Sequence, residues 1–223
     1  MPQSDDMSPQ QDALDHLRVI RSLMEKAHIY RAISAPAAFL GGALAVLCAL
    51  KTGWRAAEKG GLLEGGMFLW EWLAILAVAS VVNTLLLARE ARLRGQPLVS
   101  EGMRMALRAI LPPLTVGGVV GVGLIWYLNN HVMAALIWVL CYGLALLATA
   151  AFSPRSLVRL GWVFITLGLA LFWIWAANGD IRMLPSDEAP AALIMGLTFG
   201  LCHIGYALAV FFSRKPEAVT ALE

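Results

Sequence analysis

Charge is what this chain has least of. Only 14% of its 223 residues are Asp, Glu, Lys or Arg, where a soluble domain carries about a quarter. With a mean hydropathy of +0.70, too little polar surface is left to coat a water-soluble globule. Cysteine is scarce too. Cys48, Cys141 and Cys202 are odd in number and all lie in apolar runs, which excludes a disulfide scaffold. The catalytic templates are missing: no Gly-x-Ser-x-Gly elbow, no His-Glu-x-x-His, no phosphate-binding Gly-x-x-x-x-Gly-Lys-Ser/Thr and no CxxC. No enzymatic activity is therefore expected. Residues 1–33 have no apolar core of a signal peptide and no small-residue cleavage site, so no cleavable leader is expected. The net charge is only +2 and no basic cluster is interleaved with aromatic residues, which excludes nucleic acid as a partner.

What is abundant is apolar sequence, at 59%, and it comes in six continuous blocks: 35–54, 67–88, 110–128, 132–152, 160–177 and 191–212. Each is about 20 residues, the length a helix needs to cross hydrocarbon. Backbone groups in lipid must pair within their own segment, and the blocks do not alternate as barrel strands would. The expected fold is all-α: a polytopic membrane protein with six transmembrane helices plus an N-terminal amphipathic interfacial helix. Its parts are a tail with that helix (1–33), the six-helix bundle (34–212) and a second tail (213–223).

Thirteen of the 17 Lys and Arg residues fall in the N-terminal segment, the second and fourth connections and the C-terminal tail. Only Lys51, Arg55, Lys59 and Arg182 fall on the opposite side. Positive charge stays cytoplasmic, so both termini are expected inside, in a bacterial inner (cytoplasmic) membrane to which the Ala- and Trp-rich composition also points. Trp70, Trp72, Trp126, Tyr127, Trp173 and Trp175 then gather near the outer interface, where amphipathic rings prefer to lie. The amphipathic helix is read over residues 9–33, with Ser8 as cap, Pro9 in the first turn and Gln11 closing a capping box. Leu14, Leu17, Ile20, Met24 and Ala27 form its apolar stripe, which either lies on the leaflet or packs on the bundle.

One internal repeat stands out. Arg31-Ala32-Ile33 leading to Pro36 and Gly41 matches Arg108-Ala109-Ile110 leading to Pro113 and Gly118, at an offset of 77. It reads either as duplication of an interfacial helix plus hairpin, or as chance reinforced by shared membrane-insertion chemistry. In both copies the proline is expected in the first turn of its span.

Few polar residues lie inside the blocks. In the sixth, Gly196, Gly200, His203 and Ala207 share one helical face, bordered by Tyr206. Gly196-x-x-x-Gly200, like Gly117-x-x-x-Gly121 in the third block, is a motif for close helix packing. An ionisable group at mid-bilayer usually meets a partner. His203 accordingly reads as a neutral ring bonded to a Tyr, a Thr or a carbonyl, or as an axial haem ligand, metal ligand or proton-relay member. No second axial His lies at matching depth, and Cys202 points about 100° away from His203, so no cofactor and no metal is expected. Glu71 is the one acid inside a span. It reads as a cation or proton site, or as an interfacial acid reaching headgroups or paired with Lys59 or Arg55. Asn83 bridges helices or binds substrate. Asp187-Glu188 sits where acids meet a helix dipole, in an outer loop with few groups for chemistry.

Packing and anchoring residues dominate. The expected role is therefore interaction, sensing or scaffolding, with the lipid bilayer, another membrane protein or a second copy of the chain as partner. The alternative is a transporter or channel for a small solute or proton using Glu71, Asn83 and His203, and the prolines at span ends count against it. The third is a haem or redox membrane protein using His203.

Overall fold

The structure is a computed structural model that describes Leu17, 34–59, 66–93, Gly95, 101–178 and 187–213. Among the described residues it is all-helical, with six helices long and apolar enough to cross a membrane. They are α1 (Ala35–Glu58), α2 (Met67–Leu93), α3 (Glu101–Leu128), α4 (His131–Ala148), α5 (Arg155–Ala177) and α6 (Glu188–Ser213). A single 3₁₀ turn, Ala150–Phe152, links α4 to α5. The expected N-terminal helix over 9–33 lies outside the described residues apart from Leu17.

Local chemistry sets the helix starts. Ser34 caps α1 by accepting from the Ala37 amide at 3.3 Å, with Pro36 in the first turn. Asn130 caps α4 by accepting from the Met133 amide at 2.9 Å. Asn129 takes φ 48° to turn the chain tightly between α3 and α4, a conformation that asparagine tolerates better than most side chains.

α4 is the centre of the bundle. Half of its apolar window is buried, against 6% for α2. α4 packs on α3, α5 and α6, and α6 packs on α1. α2 leans on α1 and scarcely touches α3. The small residues serve the close contacts. A Cβ on Gly196 would stand 2.6 Å from Ala49 Cβ, and one on Gly200 2.7 Å from Val46 Cγ2, so this pair lets α6 lie against α1. Gly117 does the same for α3 against Cys141, and Gly121 against the Trp138 indole. Gly118 and Gly123 face open space, so the glycines of α3 serve two different surfaces.

Three expectations need correction. The third helix begins at Glu101, so Pro112 and Pro113 lie inside it and not in its first turn. Proline has no N–H, so the Arg108 and Ala109 carbonyls lose their usual helical partners. The two halves of the apparent repeat therefore differ, because Pro36 does lie in the first turn of α1. In α6 the stretch Gly196–Cys202 is π-helical. Its wider turn breaks the even step of three and four residues, and His203 swings towards α4 while Gly196, Gly200 and Ala207 stay on the α1 side. Finally, Trp72 is only 5% exposed and belongs to the core, whereas Trp70, Trp126, Tyr127 and Trp173 are largely exposed as an interfacial belt requires.

Candidate functional site: a charge-free cavity and a cluster of ionisable groups

Because α2 leans away from α3, space is left between it and the rest of the bundle. A cavity of about 360 Å³ fills that space, with walls from α1, α2, α3, α4 and α6. That volume lies within the ordinary range for small-molecule sites, about 300–1,000 Å³. The α2 and α3 walls scarcely meet, so the bundle is least closed on that side of the cavity. Among the described residues no Asp, Glu, Lys or Arg lines it. Its polar residues are Ser80 and Asn83 on α2, Tyr142 on α4 and His203 on α6, together with Cys141, and the rings of Trp72 and Trp138 also line it.

His203 forms the floor. Its Nδ1 lies 2.9 Å from the Phe199 carbonyl oxygen, which can only accept, so Nδ1–H donates. Nε2 of the neutral ring then accepts from the Tyr142 hydroxyl at 2.8 Å. Phe199 stacks on the imidazole at 6.0 Å, and Phe164 meets it edge-on at 5.5 Å. Both ring nitrogens are thus engaged. The π-helical turn places Phe199 and His203 together on the cavity wall, and such turns recur at functional sites. Asn83 ties α2 to α1 near the far end: its Oδ1 accepts from the Ser34 amide at 3.1 Å.

The structure separates residues that sequence reasoning groups. Asn83 and His203 share the cavity. Glu71 does not. It stands twelve residues before Asn83 on α2, about 18 Å along the axis, and Tyr206 packs with Ala35, Ala38 and Ala207 instead of lining the cavity. Glu71 pairs with Lys51 at 2.7 Å and Arg55 at 3.6 Å, and the Cys48 thiol donates to its other oxygen at 3.5 Å. Arg55 is an expected partner and Lys51 a new one. Lys51 lies one turn before Arg55 on the same face of α1, while the expected Lys59 lies past the end of α1 as its C-cap.

No protein-family model matches the chain, and neither a curated protein nor a solved structure matches it.

The sequence offers little sign of the most polar part of the core. His131 opens α4 and is 1% exposed. Its Nδ1 lies 2.6 Å from Asp187 Oδ1, and Asp187 Oδ2 accepts from the Val132 amide at 3.1 Å. On the other side of the ring, Nε2 faces Glu188 Oε1 at 3.8 Å, beyond hydrogen-bond reach. Glu188 is 2% exposed, so the acid in the first turn of α6 is also a core residue. Burial works against the Asp187 carboxylate, yet the hydrogen bonds from His131 and from the Val132 amide outweigh it and hold the group below its ordinary range. The signal that sequence reasoning misses is the pairing of a lone His at one helix start with two acids at another, and sequence separation hides such a pair.

Among the described residues no group of three or more His, Cys, Asp or Glu is placed to hold a metal ion. Cys202 directs its thiol at the Leu197 carbonyl, 3.5 Å away, and not towards His203.

Proposed function

We propose that the protein is an interaction or sensing protein of the membrane that binds an uncharged, bilayer-dissolved apolar molecule in this cavity. The observation that carries the reading is a cavity lined, among the described residues, by no Asp, Glu, Lys or Arg, on the side of the bundle where α2 and α3 scarcely meet. A ligand reaching such a site partitions first into lipid. A net charge on it would be costly, because no countercharge lines the walls. The bilayer is taken as the inner membrane of a bacterium, with both termini cytoplasmic, on the strength of the Lys/Arg bias and the exposed aromatic belt.

The test uses the full chain in lipid nanodiscs with a photoreactive long-chain alcohol as probe. Crosslinks are expected on α2, α3 and α6 residues that line the cavity. Gly118 lines it, and a Cβ added there meets nothing within 4 Å, so Gly118→Leu starts from open space and adds bulk to the cavity. That variant is expected to lose the crosslinks. Labelling that persists in Gly118→Leu, or that spreads evenly over the exposed faces, overturns the reading.

The transporter reading gains one specific support. Two spans are irregular beside the cavity, α3 at Pro112-Pro113 and α6 at its π-helical turn, as in spans that move or carry solute. Glu71 lies apart from Asn83 and His203, so Glu71→Gln tests whether this acid takes part in transport. Solute or proton flux in reconstituted vesicles, lost in that variant, replaces the binding reading with a transport one. The haem reading draws no support, because both nitrogens of His203 already have protein partners.

A further inference from the structure

We propose that His131, Asp187 and Glu188 form a hydrogen-bonded latch that holds one end of the cavity shut. The link runs through a single ring. Phe68, 2% exposed, meets His131 edge-on at 5.2 Å and stacks on Trp138 at 6.4 Å. It also lies 6.1 Å from the ring of Trp72. Trp72 and Trp138 are themselves walls of the cavity. Phe68 is therefore a wedge between the ionisable cluster and the aromatic end wall. Apart from its packing on α1, α2 has few attachments to the bundle, so the position of this ring decides whether that wall stays closed.

The geometry explains why the cluster acts as a clasp. Asp187 and Glu188 stand at the start of α6, and the His131 ring has one of these acids on each side, 2.6 Å and 3.8 Å away. Both acids belong to the start of α6 and the ring to α4, so the clasp joins the two helix starts and presents one face of the imidazole to Phe68.

The latch controls the cavity assigned above and takes its purpose from that reading, yet it is tested without any ligand. Cys141 lines the cavity, and Cys48→Ala with Cys202→Ala leaves it the sole thiol. In nanodiscs, the rate at which a water-soluble maleimide labels Cys141 reports how often the end wall opens. Asp187→Ala is expected to raise that rate by about tenfold, the factor that a shift of about 1.4 kcal/mol in an opening equilibrium produces. Phe68→Ala keeps the latch and removes the wedge, and it is expected to do the same. The double variant is expected to label no faster than the faster single one, because both remove one closure. Unchanged labelling in a folded Asp187→Ala or Phe68→Ala protein overturns the proposal, and so do multiplying effects in the double variant. Faster labelling combined with no crosslinking by the long-chain alcohol keeps the latch and removes the binding function.

Discussion

Gly42 gives the sharpest test of how the bundle is held. A Cβ at this position would stand 2.8 Å from the Gly200 carbonyl oxygen and 3.1 Å from the Ile204 amide nitrogen. Both are backbone atoms of α6, so neither can rotate away. Gly42→Ala must force α1 and α6 apart by a few tenths of an ångström along their contact, and close packing is what holds membrane helices together. Overpacking of this kind costs about 1–3 kcal/mol. Against it stands the gain from replacing a mid-helix glycine, about 1 kcal/mol. The net expectation is a loss of about 0–2 kcal/mol. Gly118→Ala supplies the contrast: nothing lies within 4 Å of its added Cβ, so only the gain of about 0.5–1 kcal/mol remains. Unfolding in mixed micelles with increasing dodecyl sulfate, followed by far-UV circular dichroism, measures both. Gly42→Ala should unfold at lower detergent fraction than the parent and Gly118→Ala at higher. If the order is reversed, the α1–α6 contact is not the close crossing described here.

Other outcomes follow from the polar groups. Tyr142→Phe leaves His203 Nε2 without the Tyr142 hydroxyl as donor and is expected to cost about 1–3 kcal/mol in the same assay. Asp187→Ala removes the acceptor for both His131 and the Val132 amide, with an expected loss of about 3 kcal/mol. The Asp187 carboxyl is held below its ordinary range. Its contribution is therefore present above the pH at which an unfolded aspartate ionises, about 3.9, and fades as pH falls through the lower native value. An acid titration of micellar stability should show this loss in the parent chain and not in Asp187→Asn. Glu71→Gln breaks a pair whose lysine is half exposed and is expected to change stability little, which makes it suitable for the flux measurement.

Much of the fold is legible in the residue order. Six apolar blocks become six helices because lipid offers the backbone no other partner. Several limits are harder to place. The third helix begins nine residues before its apolar block, at Glu101 instead of Ile110, because a helix continues beyond hydrocarbon wherever its backbone is satisfied. The small-xxx-small glycines carry local signals and act where those signals suggest. Trp72 carries a misleading one: an interfacial residue type at the right depth, turned inward because α2 rotates its Phe68–Trp72 face onto α4.

The sequence by itself determined that the solvent is lipid, that six helices cross it and which residues are small enough for close contact. These are properties of segments, and hydropathy and spacing report them directly. Only the tertiary structure decided that α2 stands off from α3 to leave a cavity, that His203 and Asn83 share it while Glu71 does not, and that His131 meets Asp187 across 56 positions of chain. Those juxtapositions depend on how each helix is rotated and where it tilts. Rotation and tilt are set by packing between helices, and no single helix carries that information in its own residues.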